Sequence, residues 1–433
     1  MANLKLIRPN IALAISILIS SIAVMGSAII NARIVGYVNS NNWYLLGLYL
    51  PINYLVLGLL ESGRVCSIRA INSTDDTQLN LNRTLQLAIL FSFIFFLLGL
   101  SALGFYVENI NLFNVTQKLF KSFSIFVALY LISYAIVSIN SVFNAALFGT
   151  SKAKLASTLI IFASLLSIIF TYALAQYLHF SIYTLPLATL AAYSIGCVIA
   201  FLKLTDGIAK KSFSLNQVTF RYCQHLIGTS GIPVFFSYIA IPIGIFTINH
   251  LLAHFGDQTI AGFGIAFRIQ NFLILPAIAL GISSGIILNQ NKNNSEIIRG
   301  RHIKFTLAFS VLIYLPVSIL VFIFNKDLVS IFTSDPQVAV VAQKYLASLG
   351  LAYVTFFPLL SLIAIWEQIG AATKGLSINI GILTLQILMA GTISIYTDNL
   401  DMFFKVSALI IGITAFFVIA HEFLKTNKQK NSS

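Results

Sequence analysis

Residues 246–267 read FTINHLLAHFGDQTIAGFGIAF. An apolar run gives way to a polar turn at Gly256 and Asp257, and a second apolar run follows. The pattern predicts a helix end, a short turn and a helix start. A fainter copy lies at residues 29–50, reading IINARIVGYVNSNNWYLLGLYL. Asn31 and Asn249 fall in register, 218 residues apart in a chain of 433. That spacing is close to half the length, so the chain reads as two copies of one unit.

Composition sets the class. Charged residues make up 9% and hydrophobic residues 58% of the chain, and the mean hydropathy is +0.91. A soluble domain carries roughly 25% charged residues. The expected fold class is therefore an all-α polytopic membrane protein. Twelve stretches satisfy the requirement of about 20 apolar residues per span: 11–35, 43–63, 84–107, 119–141, 155–178, 181–204, 229–255, 259–288, 303–324, 338–364, 375–396 and 403–423. The eighth is overlong, with Pro276 the expected site of a bend.

The net charge of +13 could suggest a nucleic-acid partner. The basic residues, however, are scattered between apolar spans and are not clustered with aromatics, which excludes that class. They serve as topology determinants. With the N-terminus cytoplasmic, 19 of the 26 Lys and Arg fall on the cytoplasmic side. Both termini are then cytoplasmic in a cell (inner) membrane, with lipids as partners. Three cysteines, Cys66, Cys197 and Cys223, show no disulfide or metal spacing, and no cofactor motif appears. The expected organisation is a six-helix bundle over 1–204, a cytoplasmic linker over 205–228, a second six-helix bundle over 229–424 and a polar tail over 425–433. A duplicated unit in a membrane chain points to a transporter and not to an enzyme or channel.

Several motifs then fall in a familiar order. They are Asn249 to Gly256 followed by Ile260 to Ile265 and Arg268-Ile269; Leu275-Pro276-Ala277-Ile278-Ala279-Leu280-Gly281; Phe332-Thr333-Ser334-Asp335-Pro336; and Gly370-Ala371-Ala372-Thr373-Lys374. The second half resembles the multidrug and toxic compound extrusion (MATE) transporters, within the superfamily that also holds polysaccharide and lipid-linked oligosaccharide flippases. The first half matches more weakly, at Asn31 to Gly36 and Gly149 to Lys152. The resemblance implies two pseudo-symmetric six-helix bundles around a central cavity. It also implies alternating access and efflux of organic cations or amphipathic molecules, with H⁺ or Na⁺ as the counter-ion. The alternative is a flippase for lipid-linked oligosaccharides or polysaccharides.

Coupled export needs a group that takes up a cation in one state and releases it in the other, and a buried carboxylate suits this. All 13 acids of this chain fall in predicted loops or near helix ends. The resemblance puts the drug exporters' first-helix Asp at Asn31, and further acids of some members at Ile241 and Pro358. Asn31 can offer a carbonyl oxygen to Na⁺ but cannot carry a proton. The candidate coupling residues are Asn31, Asn249, His250, His254 and Arg268. His250 and His254, four apart on one predicted helix face, read either as a proton-responsive pair or as ordinary interfacial side chains. Arg268 reads as an ion-pair member or a substrate contact. Candidate cavity residues, by helix face, are Phe235, Tyr238, Gln270, Asn271, Tyr353, Phe356 and Gln386. Glu61 and Glu367 are candidates for an inner gate with Arg64, Arg69 or Lys374, or are simple solvated helix ends. The transported molecule is expected to be small, and the protein a monomer.

Overall fold

The computed structural model describes residues 2–38, 41–108, 117–150, 152–178, 180–206, 217–291, 296–333 and 335–431. Within these limits the chain is helical throughout: α1 Ala2–Val38, α2 Asn41–Ile71, α3 Thr77–Glu108, α4 Gln117–Gly149, α5 Ala153–Tyr177, α6 Thr184–Leu204, α7 Gln217–Leu226, α8 Ile232–Leu252, α9 Asp257–Gln290, α10 Glu296–Ile323, α11 Asn325–Ser330, α12 Pro336–Gly350, α13 Tyr353–Ile369, α14 Ala372–Leu385, α15 Gly391–Thr397 and α16 Leu400–Asn431. Among the described residues, ten segments are long and apolar enough to cross a membrane, and the pair α12–α13 makes an eleventh if taken as one span. Helix α2 occupies the second expected span, 43–63. In hydrocarbon every backbone amide must be paired within the chain, and helices achieve this.

The acids near helix ends have a local job. Asp76 Oδ1 accepts from the amides of Gln78 and Leu79 at 2.9 and 3.1 Å, opening α3. Asp335 does the same for α12 from the Gln337 amide at 2.9 Å, with Pro336 in the first turn. Both are N-caps.

Residues Ser16–Tyr238 form one compact unit, and Met1–Ile15 with Ile239–Ser433 form the other. The first turns of α1 thus pack with the later helices. Asn10 Nδ2 donates to Ser284 Oγ at 2.9 Å, and Ser283 Oγ donates to Asn10 Oδ1 at 2.5 Å. Within the Ser16–Tyr238 unit, Ser62 Oγ donates to the Gly231 carbonyl at 2.7 Å, and an Arg69 guanidinium N–H donates to Ser230 Oγ. The segment expected to be a linker, 205–228, is in part ordered helix. Its Cys223 is buried against the Arg83 carbonyl, and the Arg83 guanidinium lies 3.8 Å over the Tyr222 ring. Lys210 and Lys211 of that segment, with Lys292 and Ser334 elsewhere, lie outside the described residues. The expected polar tail from 425 continues α16 as far as Asn431.

Two features of the later spans have clear causes. Helix α9 runs unbroken through Pro276 for 34 residues. The proline cannot donate to the ladder, and the Tyr314 hydroxyl is inserted beside it. That hydroxyl accepts from the Ala277 amide at 2.9 Å and donates to the Leu273 carbonyl at 2.7 Å. A side chain from α10 thus takes over the turn that the proline disturbs. The tenth expected span, 338–364, is instead two helices, α12 and α13, meeting at 73°. Tyr345 and Tyr353 flank this break, and both hydroxyls donate to Gln270 Oε1, at 2.9 and 3.2 Å. One buried amide oxygen therefore ties both sides of the break to α9.

Helix α9 packs closely because of Gly281 and Gly285. A Cβ at Gly281 would lie 2.4 Å from the Ser361 carbonyl oxygen, and one at Gly285 2.3 Å from Gln368 Cβ. Glycines four apart let two helix backbones approach, as in GxxxG packing between membrane helices. The core around them contains Tyr314, Tyr353, Phe357, Phe403 and Phe404.

Candidate functional site

The Ser16–Tyr238 unit holds the first candidate cluster. Asn31 on α1 is buried, and its Nδ2 donates to Ser167 Oγ on α5 at 3.0 Å. Ser164, Ser167 and Thr171 recur at helical spacing on α5, and all three are buried. Among the described residues, the Asn31 carbonyl oxygen and Thr171 Oγ1 have no hydrogen-bond partner. An unpaired polar group buried in this way costs about 1–3 kcal/mol. This cluster thus offers neutral oxygens and no carboxylate, an inventory that suits a hard cation and not a proton. No group of three His, Cys, Asp or Glu able to hold a metal occurs among the described residues.

An aromatic column in the same unit went unnoticed in the sequence. Tyr49 meets Phe126 and Tyr130 edge-on at 5.5 and 5.0 Å, and Tyr130 meets Tyr134 at 5.1 Å. The signal was available in the spacing of Phe126, Tyr130 and Tyr134, one helical turn apart. Phe235 and Tyr238, expected at a cavity, also belong to this unit. They pack on Gly58, where a Cβ would lie 3.0 Å from Tyr238 Cβ.

The other unit gathers Gln270, Asn271, Tyr353, Phe356 and Gln386. Gln270 and Tyr353, expected to line a cavity, are instead core residues: Tyr353 is fully buried, hydrogen-bonded to Gln270 and stacked on Phe357 at 4.5 Å. Helical spacing identifies a face but cannot say whether a neighbour covers it. Asn271 and Phe356 are half-buried. Gln386 is buried at a π-helical turn, Gln386–Ala390.

The polar candidates near the repeat turn are more exposed. Asn249 is half-buried, with its carbonyl oxygen unpaired. His250 and Arg268 are exposed. His254 does not share a helix face with His250, because α8 ends at Leu252 and His254 lies in a 3₁₀ turn, Ala253–Phe255. Its Nε2 stands 3.5 Å from Asp398 Oδ1, and both groups are exposed. The Asp257 side chain lies outside the described residues. Glu61 pairs with Arg64 on its own helix, through a 2.6 Å bond from Nε. Arg69 turns instead to Ser230. Glu367 is half-buried and engaged in a polar contact.

Residues 233–391 match the model of the MatE family. Among solved structures, the bent form of the Vibrio cholerae MATE transporter VcmN superposes with a TM-score of 0.85 over 99% of this chain and 98% of that one, at 16% identity. The family match spans 159 of the 433 residues, from 233 to 391, and the fold is that of the MATE transporters. A transporter of the MOP superfamily from Pyrococcus furiosus, whose binding pocket is described as reversed in polarity, gives a TM-score of 0.80 at 17% identity over 97% of this chain and 95% of that one. The fold is thus the two-bundle, twelve-helix fold expected from the repeat. A FAD transporter of Shewanella oneidensis is 25% identical over 41% of this chain and 40% of its own length. The multidrug export protein MepA of Staphylococcus haemolyticus is 28% identical over 26% of this chain and 25% of its own. The chain thus aligns with less than half the length of these curated relatives. The chain has Asn31 where the resemblance leads one to expect an acid. Ile241 lies on α8 and Pro358 on α13, the other two positions at which the resemblance leads one to expect acids in some members.

Proposed function

We propose that this protein is a secondary active exporter of flat, amphipathic small molecules, working by alternating access with Na⁺ as the counter-ion. The observation that carries the coupling reading is the buried Asn31 carbonyl oxygen, left unpaired beside the α5 hydroxyls. Neutral oxygens can replace part of the hydration shell of a Na⁺ ion. They cannot hold a proton, so a pH gradient alone would be a weak driving force. The MatE match and the multidrug relative support the export reading. Both termini are cytoplasmic on this reading, in the inner membrane.

A second reading concerns the substrate. Organic cations are usually held by a buried acid, and the cluster described above has none. One relative bears the name FAD transporter, and a flavin dinucleotide is aromatic and anionic. Such a molecule would not need a buried carboxylate. A lipid-linked glycan flippase is the remaining alternative within the superfamily.

Proteoliposomes decide among these. Ethidium and FAD efflux are each measured under an imposed Na⁺ gradient, then under a pH gradient. Na⁺-driven efflux that falls about tenfold or more in Asn31→Ala is expected, because a lost ion ligand costs on the order of 1.4 kcal/mol or more. Asn31→Asp should keep transport and add sensitivity to acid, and His250→Ala should change neither response. Efflux that follows the pH gradient alone and ignores Asn31→Ala would sink the Na⁺ reading.

A further inference from the structure

Where α13 turns into α14, a groove opens between α14 and α16. Gly370 ends α13 in the left-handed region, at φ 90°, and the Ala371 amide returns to the Trp366 carbonyl at 2.8 Å. This tight turn brings the start of α14 alongside the end of α16. The groove has a volume of about 570 Å³ and is lined from α14 by Thr373, Lys374, Ser377 and Ile378. From α16 come Phe417, Val418, His421, Glu422 and Lys425.

The lining is graded. Lys374 and Thr373 sit in the first turn of α14, while His421 and Lys425 sit at the membrane-span end of α16. Phe417 and Val418 lie one to two turns deeper, about 12 Å from Lys425 at 1.5 Å per residue. Phe417 is 66% exposed and belongs to an outward apolar stripe with Leu409, Ile413 and Phe416. The cationic end and the apolar end therefore meet at the boundary between water and hydrocarbon. Two ammonium groups and an imidazole face one carboxylate, Glu422, so the rim is net positive.

We propose that this groove is a binding site for an anionic phospholipid. The phosphodiester sits between Lys374 and Lys425, the Thr373 hydroxyl donates to it, and the acyl chains run along Ile378, Phe417 and Val418. A free phosphate would use the basic rim but gain nothing from the apolar half. A zwitterionic lipid would use the apolar half and bring its own cation against the lysines. Basic pockets between helices on the cytoplasmic side suit acidic headgroups, and each lysine near such a surface contributes on the order of a fivefold preference. The positive-inside count puts these residues on that side. All of the groove's lining residues belong to the Ile239–Ser433 part of the chain, and Asn31 to the Ser16–Tyr238 unit.

The test uses the full-length chain in nanodiscs of phosphatidylcholine with about one-tenth phosphatidylglycerol. Trp43 is replaced by Phe, which leaves Trp366 on the groove as the reporter. Brominated phosphatidylglycerol is expected to quench Trp366 several-fold more than brominated phosphatidylcholine at equal mole fraction. The double variant Lys374→Ala, Lys425→Ala should abolish that preference; both side chains are exposed, so folding is not at stake. Phe417→Ser should weaken quenching by both lipids. Equal quenching by the two lipids, or a preference that survives the double variant, overturns the proposal. Full loss of the preference in excess glycerol phosphate would also overturn it, since a soluble anion would then be the ligand.

Discussion

The Tyr314 hydroxyl shows how one side chain can decide the course of a helix. Pro276 removes one ladder donor and crowds the carbonyl of the preceding turn. Tyr314 accepts from one α9 amide and donates to one α9 carbonyl across that turn. Nothing in the local sequence around Pro276 announces a partner 38 residues away. Tyr314→Phe should destabilise the protein by about 1–3 kcal/mol, the cost of leaving buried backbone groups poorly paired. In a Pro276→Ala background the same change should cost clearly less, because an alanine amide can restore the ladder. Thermal unfolding of the four proteins in detergent measures this coupling. Additive effects would mean that the tyrosine acts through packing alone. Asn31 works at the same scale: its residue type was readable from the sequence, whereas its unpaired oxygen was not.

Among elements, α9 organises the later unit. Its Gly281 and Gly285 face α13, its Gln270 holds both sides of the α12–α13 break, and its Ala277 carbonyl accepts from Ser361 Oγ at 2.8 Å. Gly281→Ala puts a methyl against the Ser361 carbonyl oxygen, which is backbone and cannot swing aside. The expected loss is about 1–3 kcal/mol, the usual cost of overpacking a close contact. The midpoint of thermal unfolding should fall, while Gly264→Ala, at a position with open space, should leave it within error. A Gly281→Ala protein as stable as the parent would mean that the two helices are free to slide apart. The pair of glycines in the sequence GISSG was visible without a structure. Their partner was not, because helical spacing marks a small-residue stripe but does not name the helix that uses it. The broken tenth span is the converse case: 338–364 is apolar throughout, and hydropathy cannot register a bend made by two hydroxyls and an amide.

At the scale of the molecule, charge sets the orientation that the apolar spans leave open. With the native cysteines replaced by Ser, a cysteine at Lys326 should react with an impermeant maleimide added to intact cells. One at Lys374 should react only after the membrane is opened. Labelling at both positions from outside would overturn the assignment of both termini to the cytoplasm. The native thiols need removing mainly for Cys197, since Cys66 and Cys223 are fully buried.

The sequence by itself determined the membrane class, the helical content, the duplication centred on Asn31 and Asn249, and the lysine and arginine asymmetry. Each of these is written in composition or in a periodicity along the chain, because spans must be apolar and backbone amides must pair locally. Only the tertiary structure decided that the first turns of α1 join the later helices and that residues 217–238 join the earlier ones. It also decided that Gln270 and Tyr353 are core, that Ser167 on α5 pairs with Asn31, and that Lys374 and Lys425 line one groove. These depend on which surfaces cover one another over tens to hundreds of residues, and an apolar helix face reads the same whether it is covered by lipid or by protein.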